Sequence, residues 1–385
     1  MDIAIVAPCP IPYVIGGAEN LWRGLQDHLN EHTEHQAELI KLPSRELSFW
    51  DLVDTYRRFS ELDLDGFDLV VSTKYPAWMV RHPRHVVYLQ HKLRGLYDTY
   101  DIDRLPLRLE NPPAPVAQLS AWMEQHAGRR DALAELFERL ERLRHTPGVP
   151  ADLFSFPGPL IREIVHRLDD IGLAPAEISR YGAISETVRG REEHFPPGAD
   201  VFVAHHPTNL EGLRPRRGSY LFSASRLDNS KRVELLVGAM QHVAQDVELR
   251  IAGTGPNEEM LRAQAEGDPR VRFCGRVPSE RLAELYSGAR AVAFVPYQED
   301  YGLVTLEAML AGKPVLTCTD SGGTTELVSD GETGRIVEPS PEALGAAIDD
   351  LWAERRARLR MGRAAFERAH RVTWDGLVQE LTRAP

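Results

Sequence analysis

The sequence lacks a long hydrophobic run, a cysteine framework and an excess of positive charge, and each absence excludes a class of protein. No apolar stretch approaches the ~20 residues that cross a bilayer, and the N-terminus "MDIAIVAPCP" leads directly into a predicted strand. The formal net charge of -12 opposes non-specific nucleic-acid binding, which requires a basic face. We therefore expect a cytoplasmic globular protein with no nucleic-acid partner.

Cysteine is scarce, and its placement argues against thiol chemistry. Cys9, Cys274 and Cys318 are far apart in the chain and lie within or beside apolar strands. Such isolated cysteines are typical of buried free thiols, because a disulfide framework or a thiolate metal site needs several cysteines at set spacings.

Sequence motifs for common nucleotide and metal sites are also missing. There is no G-x-x-x-x-G-K-[ST] phosphate loop, and the N-terminal pair Gly16 and Gly17 does not form G-x-G-x-x-G, so ATPase and dehydrogenase functions lose their main support. The acid pairs in "DLD" (63–65) and "DID" (101–103) have no further ligand pattern around them. We expect neither a metal site nor a bound cofactor.

What the sequence does contain is a twice-repeated alternation of strands and helices. Strands are predicted at "DIAIVAP", "FDLVVSTK", "HVVYLQH", "RYGAISE" and "ADVFVAHHP", and then at "SYLFSAS", "VELRIAG", "VRFCG", "AVAFVPY", "PVLTCT" and "TGRIVE". Alternation of this kind predicts an α/β protein with parallel sheets. We predict domains at residues 1–210 and 211–369, an insertion or elaborated edge at about 93–178, and a C-terminal helix at about 370–385 that could pack back on the first domain.

One predicted C-terminal helix is rich in arginine, in the segment "ERRARLRMGR". Its arginines are Arg355, Arg356, Arg358, Arg360 and Arg363. They could form a membrane or anion patch, but the interleaved Glu354 and Glu367 favour a solvated face. Membrane contact is therefore possible but not favoured, and the sequence leaves the oligomeric state open.

Two cations follow the first predicted strand of the second domain, in "SASRLDNSKR". Ligands of parallel sheets bind in the crevice outside the carboxyl ends of the strands, where Arg226 and Lys231 would lie. Arginine binds phosphate through two parallel hydrogen bonds and lysine neutralises it as a point charge. These two residues are candidates for a phosphate site, with surface charge as the alternative.

A second candidate segment is "PYQEDYGLVTLEAMLAG", which reads as a loop entering a helix. Its carboxylates Glu299 and Glu307 flank a stretch whose first helical N–H groups lack partners and attract anions. Two carboxylates beside an anion site suit sugar hydroxyls, so this segment predicts a ligand with both phosphates and sugars. The alternative is that both glutamates are solvated.

Glycines and one histidine occupy other predicted strand ends. Gly253, Gly255 and Gly275 follow two strands of the second domain and allow close backbone approach to a ligand, as do Gly16 and Gly17 in the first domain.

His91 closes the strand "HVVYLQH", where it could donate to a substrate hydroxyl or serve as a satisfied polar residue at a loop start. His205 and His206 lie near the interdomain segment, and we favour a structural role for them.

Taken together, "SRLDNSKR", "AGTGP", "FCGRV", "EDYGLVTLEAMLAGKPVL" and "DSGGTTELVSDGETG" occur in the order that resembles the retaining GT-B glycosyltransferases of family 4. The likeness is looser at "GGAEN", "YLQH" and "AISETVR", and residues 93–178 match no pattern of the family. The resemblance implies two Rossmann-like domains facing a central cleft. It also implies transfer of a sugar from a nucleoside-diphosphate donor, UDP- or GDP-linked, to an acceptor hydroxyl in glycan, polysaccharide or natural-product biosynthesis.

The resemblance also implies roles for single residues. Arg226 and Lys231 would hold the donor diphosphate, Glu307 the ribose hydroxyls, and the main chain at Arg276 and Val277 the base. The transferred sugar would meet Glu299 together with the amides of Tyr301, Gly302, Leu303 and Val304, and His91 would approach its reacting edge. Enzymes of this kind need no metal, because the cations stabilise the departing diphosphate.

Two rival functions stay open on the sequence. One is a nucleotide-sugar-binding protein without transferase activity, and the other is a nucleotide-sugar epimerase with the same architecture. Acceptor-dependent release of a nucleoside diphosphate separates both from a transferase.

Overall fold

The computed structural model describes residues 1–9 and 16–384. Residues 10–15, which include the start of the predicted glycine loop "VIGGAEN", lie outside the described residues. The chain divides into two compact units: Met1–Ile184, Val188–Ala204 and Leu377–Pro385 form the first, and Ser185–Thr187 and His205–Gly376 form the second.

The first unit contains a parallel six-stranded sheet in the order β2-β1-β3-β4-β5-β6. Its strands are β1 (Asp2–Cys9), β2 (Gln36–Pro43), β3 (Leu69–Ser72), β4 (His85–Leu89), β5 (Arg180–Ala183) and β6 (Val201–Val203). The helices that alternate with them are α1 (Gly17–His32), α2 (Phe49–Ser60), α3 (Ala114–Gln125), α4 (Leu133–Arg144), α5 (Pro159–Gly172) and the short α6 (Glu186–Arg189). The predicted strands of this half are all present, and β2 is an addition.

The region predicted as an insertion, 93–178, carries helices and 3-10 turns but no strand among its residues. Its last helix, α5, belongs to the core of the unit: Leu160, Ile161 and Ile164 are 0% exposed. Asp169 on the same helix is also buried and accepts hydrogen bonds from Tyr56, Trp78 and Tyr97. Part of the region is therefore the crossover between β4 and β5, and α3 and α4 are what is added to it.

The second unit contains a second parallel six-stranded sheet in the order β12-β11-β10-β7-β8-β9. Its strands are β7 (Tyr220–Ala224), β8 (Leu249–Ala252), β9 (Val271–Gly275), β10 (Ala289–Ala293), β11 (Val315–Cys318) and β12 (Gly334–Val337). This is the Rossmann strand order, which reverses direction at the neighbouring strands β7 and β10. The crevice outside their carboxyl ends is where such sheets bind ligands.

Helices cover both sheets. Those after β7 are α7 (Val233–Ala239), α8 (Glu258–Gln264), α9 (Ser279–Gly288), α10 (Leu303–Leu310), α11 (Gly323–Leu327), α12 (Pro341–Ala353), α13 (Arg355–Ala369) and α14 (Trp374–Thr382). The end of α14 groups with the first unit, where Arg180 pairs with Glu380 at 3.3 Å. No helix of the described residues is both long and apolar enough to pass through a bilayer.

The three cysteines are free thiols, as predicted. Cys318 is fully buried in β11, whereas Cys9 and Cys274 are half-buried.

Candidate functional site

The candidate site is formed where β7 and β10 end. After β7 the chain passes Arg226 and forms a 3-10 turn at Asn229–Lys231, and after β10 it runs through Glu299 into α10. Because these parallel strands are neighbours, both loops lie at the same edge of the sheet. The Lys231 Nζ lies 2.5 Å from the Glu299 Oε2, with 22% and 21% of the two side chains exposed. The structure therefore brings together, in one ion pair, a residue predicted to bind phosphate and a residue predicted to bind sugar.

Lys231 is positioned by its own turn and by the next residue. Asp228 caps the turn by accepting from the Ser230 N–H at 3.0 Å. Arg232 has a left-handed φ of 48°, and its guanidinium forks onto Asp320 with distances of 2.7 and 2.6 Å. Arg232 also donates to the Pro296 carbonyl at 2.7 Å. This one side chain ties the loop after β7 to the loops after β10 and β11.

Neither Arg232 nor Asp320 was predicted from the sequence to contribute to the site. Their position in the sequence could have indicated the pair. Asp320 follows β11 just as Lys231 and Glu299 follow their strands, so its carboxylate lies at the same edge of the sheet as the cations.

The Glu299 loop is held by two glycines of the "DSGG" segment. The Glu299 N–H donates to Ser321 at 3.3 Å, and the Gly323 N–H donates to the Glu299 carbonyl at 2.8 Å. Gly322 has a φ of 62°, and a Cβ there would lie 2.5 Å from the Glu299 carbonyl oxygen. A Cβ on Gly323 would lie 2.7 Å from the Asp300 carbonyl oxygen. Only glycine permits this close approach of two backbones.

The start of α10 adds hydrogen-bond donors beside Glu299. Gly302 has a φ of 83° immediately before the helix, and the N–H groups of Leu303 and Val304 in its first turn have no intrahelical acceptor. Tyr301 does not face solvent: its ring is 4% exposed and its hydroxyl donates to the His206 carbonyl at 2.8 Å. The amides of the helix start therefore offer an anion-binding edge.

Glu307 lies about one and a half turns into α10, and it is buried, with 8% of the residue exposed. Its Oε1 accepts from the Thr208 hydroxyl at 2.9 Å. Burial raises the pKa of this carboxyl from 4.5 to about 7, against the opposing effect of the Tyr286 and Thr208 hydroxyls. Near neutral pH the group is therefore poised between its neutral and ionised forms.

The remaining cation and glycines of the second unit surround this pair less closely. Arg226 is exposed, and its Nε lies 3.5 Å from the Asp228 Oδ2. A Cβ on Gly253 would overlap the Ser225 carbonyl oxygen, and one on Gly255 would lie 2.3 Å from the Leu227 carbonyl oxygen. In the structure these two glycines admit the backbone of the Arg226 loop; contact with a ligand stays a prediction.

Gly275 ends β9 with a φ of 65°, and no atom lies within contact distance of a Cβ built there. Arg276 and Val277 follow it, exposed and half-buried respectively. Their assignment to a base stays a prediction.

In the first unit, the predicted residues lie at the ends of β1 and β4. Gly16 is the N-cap of α1, and its N–H donates to the Glu19 carboxylate at 3.0 Å; Gly17 is the first residue of the helix. The His91 Nδ1 donates to the Lys92 carbonyl at 2.7 Å, since a carbonyl oxygen can only accept. The His91 ring also packs edge-on against Tyr75, with ring centres 5.6 Å apart.

His205 and His206 contact protein groups of the second unit. The His205 ring stacks on Tyr301 with centres 5.3 Å apart, and its Nε2 lies 3.2 Å from the Glu326 carboxylate. Burial lowers the pKa of His206 to about 4, and its Nδ1 lies 2.9 Å from the Pro207 carbonyl oxygen. These contacts favour the structural role that we inferred for both.

The acid pairs at 63–65 and 101–103 gain no partner that would complete a metal site. Within residues 1–9 and 16–384, no three side chains of His, Cys, Asp or Glu are grouped to hold a metal ion.

Comparison with known proteins shows the family to which this chain is similar. A family model described as glycosyl transferases group 1 matches residues 211–368. The protein named D-inositol 3-phosphate glycosyltransferase of Pseudarthrobacter chlorophenolicus is 32% identical over 359 residues, which cover 82% of this chain and 83% of that protein. The protein of the same name from Corynebacterium diphtheriae is 38% identical over 206 residues, 48% of each chain.

Other relatives align over a shorter part. The matches with the Corynebacterium kroppenstedtii and Corynebacterium efficiens proteins of that name cover 44% and 48% of those proteins, so the chain spans about half the length of these relatives.

Solved structures agree with the fold. The match with sucrose-phosphate synthase from Thermosynechococcus elongatus covers 99% of this chain and 97% of that protein's chain, with 17% sequence identity and a TM-score of 0.65. The match with Anabaena HepE, solved in a complex with UDP-glucose, covers 99% of this chain and 98% of the HepE chain, with 16% sequence identity and a TM-score of 0.61. At these identities the likeness concerns the fold alone. The predicted α/β fold class with two Rossmann-like sheets of the GT-B type is confirmed.

The contact of Gly322 with the Glu299 loop generates a test. Gly322→Ala adds a methyl group 2.5 Å from the Glu299 carbonyl oxygen, whereas Gly331→Ala adds one at a similar φ, 73° against 62°, with nothing within 4 Å. Both substitutions place alanine at a positive φ, which costs about 1–2 kcal/mol, and the ψ of -133° at Gly322 takes that residue outside the left-handed helical region and adds to the cost. We expect Gly322→Ala to lower the free energy of unfolding by roughly a further 1–3 kcal/mol, because overpacking adds to that cost.

Urea unfolding of the two variants measures this difference. Equal losses of stability would show that the Gly322 contact does not hold the loop.

Proposed function

Because the chain belongs to the group 1 glycosyltransferases, we propose that it transfers a sugar from a nucleoside-diphosphate donor to an acceptor hydroxyl, with retention at the anomeric carbon. The observation that carries this proposal is the pairing of Lys231 with Glu299 beside the start of α10. That edge of the sheet combines a cation and amide donors for a diphosphate with a carboxylate for sugar hydroxyls.

The diphosphate is assigned to Lys231, Arg226 and the amides at the start of α10. When the bond between the anomeric carbon and the phosphate oxygen breaks, negative charge grows on the departing diphosphate. Cations and fixed N–H groups stabilise that charge most in the transition state, which accelerates the reaction. Because these groups meet the charge, we propose that the reaction needs neither a metal ion nor a cofactor.

The hydroxyls of the donor are assigned to the carboxylates. Glu299 faces the transferred sugar, together with the amides from Tyr301 to Val304, and Glu307 binds the ribose. The main chain at Arg276 and Val277 lies against the base, with Gly253 and Gly255 behind the phosphates. In the first unit, His91 approaches the reacting sugar and Gly16 and Gly17 line the loop at the end of β1.

For the donor we propose a UDP- or GDP-sugar, with UDP-glucose as the first to assay because it is the ligand in the HepE complex. For the acceptor we propose a small hydroxyl compound, with D-inositol 3-phosphate as the first to assay because the relatives carry its name. We place the reaction in the cytoplasm, where nucleotide sugars are found. A binding protein without turnover and an epimerase are the rivals.

An assay of nucleoside-diphosphate release against a panel of UDP- and GDP-sugars, with and without acceptors and in excess EDTA, tests the function. We expect release that depends on the acceptor and continues in EDTA, because Lys231 and Arg226 carry the charge compensation. Binding without release would support the binding protein, and conversion of the donor sugar without acceptor would support the epimerase. Activity lost in EDTA and restored by magnesium would contradict the proposed metal independence.

The raised pKa of Glu307 generates a second prediction. A carboxylate accepts two ribose hydroxyls, but the protonated acid does so poorly, so donor binding requires the ionised form. With a pKa of about 7, the donor KM should rise about tenfold for each pH unit below 7. Glu307→Gln should raise the KM and remove this dependence, as measured by steady-state kinetics across pH.

An independent readout comes from stability. The folded carboxyl has a pKa of about 7 against 4.5 in the unfolded chain, so the folded state binds the proton more tightly. The free energy of unfolding should therefore fall as pH rises from about 4.5 to about 7, and Glu307→Gln should flatten that slope. If the slope flattens but the KM keeps its pH dependence, Glu307 is buried as described yet does not bind the ribose.

A further inference from the structure

A second pocket of the same unit lies at the opposite edge of the Rossmann sheet. Its volume is about 670 Å³, and it is lined by the segments that precede β7, begin β10 and precede β11, together with one face of α13. The Lys231–Glu299 pair lies at the carboxyl ends of β7 and β10, whereas this pocket lies at the amino ends of β7, β10 and β11. The two sites are therefore separated by the length of the strands.

Cations dominate the lining of this pocket. Arg216 and Arg217 come from the segment before β7, Arg290 from β10 and Lys313 from the residues before β11.

The helix α13 contributes Arg355, Arg358 and Arg363, whereas Arg356 and Arg360 do not line the pocket. The helix thus divides the arginines of "ERRARLRMGR" into two sets, which the sequence could not separate.

Among the described residues, no carboxylate is paired with these cations. The lining contains no aspartate or glutamate. Glu354 and Glu367, which favoured a solvated face on the sequence, lie outside the lining. In the part of the chain that the structure describes, none of the lining cations forms an ion pair with a carboxylate. Seven positive charges around one concavity repel each other, so an anion that enters it relieves that repulsion.

Two of the cations are buried, which increases the cost of leaving them uncompensated. Lys313 is 3% exposed, its Nζ donates to the Arg216 carbonyl at 2.6 Å, and burial lowers its pKa to about 8. Arg358 is 9% exposed and donates to the Leu351 carbonyl; burial, Arg290 and Arg355 lower its pKa. Buried charges are normally paired with an opposite charge, and these two have only carbonyl oxygens among the described residues.

The pocket also has an apolar wall. Trp352 lies beneath the Arg290 guanidinium, 5.1 Å from the ring centre, and Phe366 and the exposed Leu359 adjoin the arginines of α13. Guanidinium groups bind phosphate through paired hydrogen bonds, and the apolar wall suits the organic part of a phosphate ester.

We infer that this pocket binds a phosphate-bearing anion of at least two negative charges, as a second site independent of the donor. The inference does not rest on the proposed transferase function, because the pocket shares no residue with the Lys231–Glu299 site. The phosphate can be that of a soluble ester or that of a lipid headgroup, and the experiment distinguishes these sources.

The experiment measures binding of inorganic tripolyphosphate by calorimetry at constant ionic strength. The pocket variant carries Arg355→Ala and Arg363→Ala, and the matched control carries Arg356→Ala and Arg360→Ala; all four residues are exposed on the same helix. We expect the pocket variant to bind tripolyphosphate at least about tenfold more weakly, because it loses two cations that can form charge-assisted hydrogen bonds with the phosphate groups. The control variant should bind like the unmodified protein.

Because tripolyphosphate could also occupy the donor site, Lys231→Ala is the third variant. It should retain binding at the pocket, whereas the pocket variant should retain nucleoside-diphosphate binding at the donor site. Loss of tripolyphosphate binding in Lys231→Ala alone, an equal loss in pocket and control variants, or no binding by the unmodified protein would each overturn the inference.

Sedimentation with phosphatidylcholine vesicles, with and without phosphatidic acid, whose phosphate monoester can carry two negative charges, identifies the source of the phosphate. Binding to the anionic vesicles that is lost in the pocket variant but kept in the control indicates a lipid headgroup. Tripolyphosphate binding without vesicle binding indicates a soluble phosphate ester. Vesicle binding that is equal in all variants, together with unchanged tripolyphosphate binding, would again overturn the inference.

Discussion

The ion pair between Lys231 and Glu299 is the contact around which the proposed donor-binding edge of the second unit is organised. It exists because β7 and β10 are neighbours at the point where the strand order reverses, so residues distant in the sequence follow strands that end side by side. The fork of Arg232 on Asp320 then fixes the lysine turn, and the close approach of Gly322 fixes the glutamate loop. The pair thereby presets both a cation and a carboxylate beside the amides of α10.

This arrangement has an energetic consequence for the proposed donor. A diphosphate competes with Glu299 for Lys231, and the same carboxylate repels it unless a sugar hydroxyl donates a hydrogen bond to that carboxylate. A complete nucleotide sugar satisfies every group at once, because its phosphates engage the cation while its hydroxyls engage the glutamate. The same unit concentrates uncompensated cations at the other edge of the sheet, around Lys313 and Arg358. The two anion sites proposed for this unit thus differ in their charge balance.

Much of the fold was accessible from the sequence because buried parallel strands are continuous apolar runs bounded by turn residues. All the predicted strands of the second half are present, from "SYLFSAS" to "TGRIVE". β2 was missed because "QAELIKLP" carries Glu38 and Lys41 on a strand at the edge of its sheet, which weakens the apolar signal. The core helix α5 was not predicted, because the prolines and polar helices around it led us to interpret the whole region as an insertion.

The individual candidate residues of the site could be predicted from the sequence, but the contacts between them could not. The end of a predicted strand made Lys231 a candidate, and the loop that enters a helix made Glu299 and Glu307 candidates. Their contacts, however, depend on which strands are neighbours, and strand order is not visible in a local pattern. For the same reason Arg232 and Asp320 were overlooked. Gly253 and Gly255 were predicted to allow close approach of a ligand, and in the structure they admit the backbone of another loop. The basic pocket draws on segments from Arg216 to Arg363, so no local stretch revealed it.

The account is tested most directly by calorimetric titration of free UDP and GDP into Lys231→Ala, Glu299→Gln and the double variant. If the pair presets the phosphate site, Lys231→Ala weakens nucleoside-diphosphate binding by about tenfold or more, because a charge-assisted contact is lost. Glu299→Gln tightens it several-fold, because the competing carboxylate is gone, and the double variant binds as weakly as Lys231→Ala. Binding that is weakened equally by Glu299→Gln and Lys231→Ala, or changed by neither, would contradict the account.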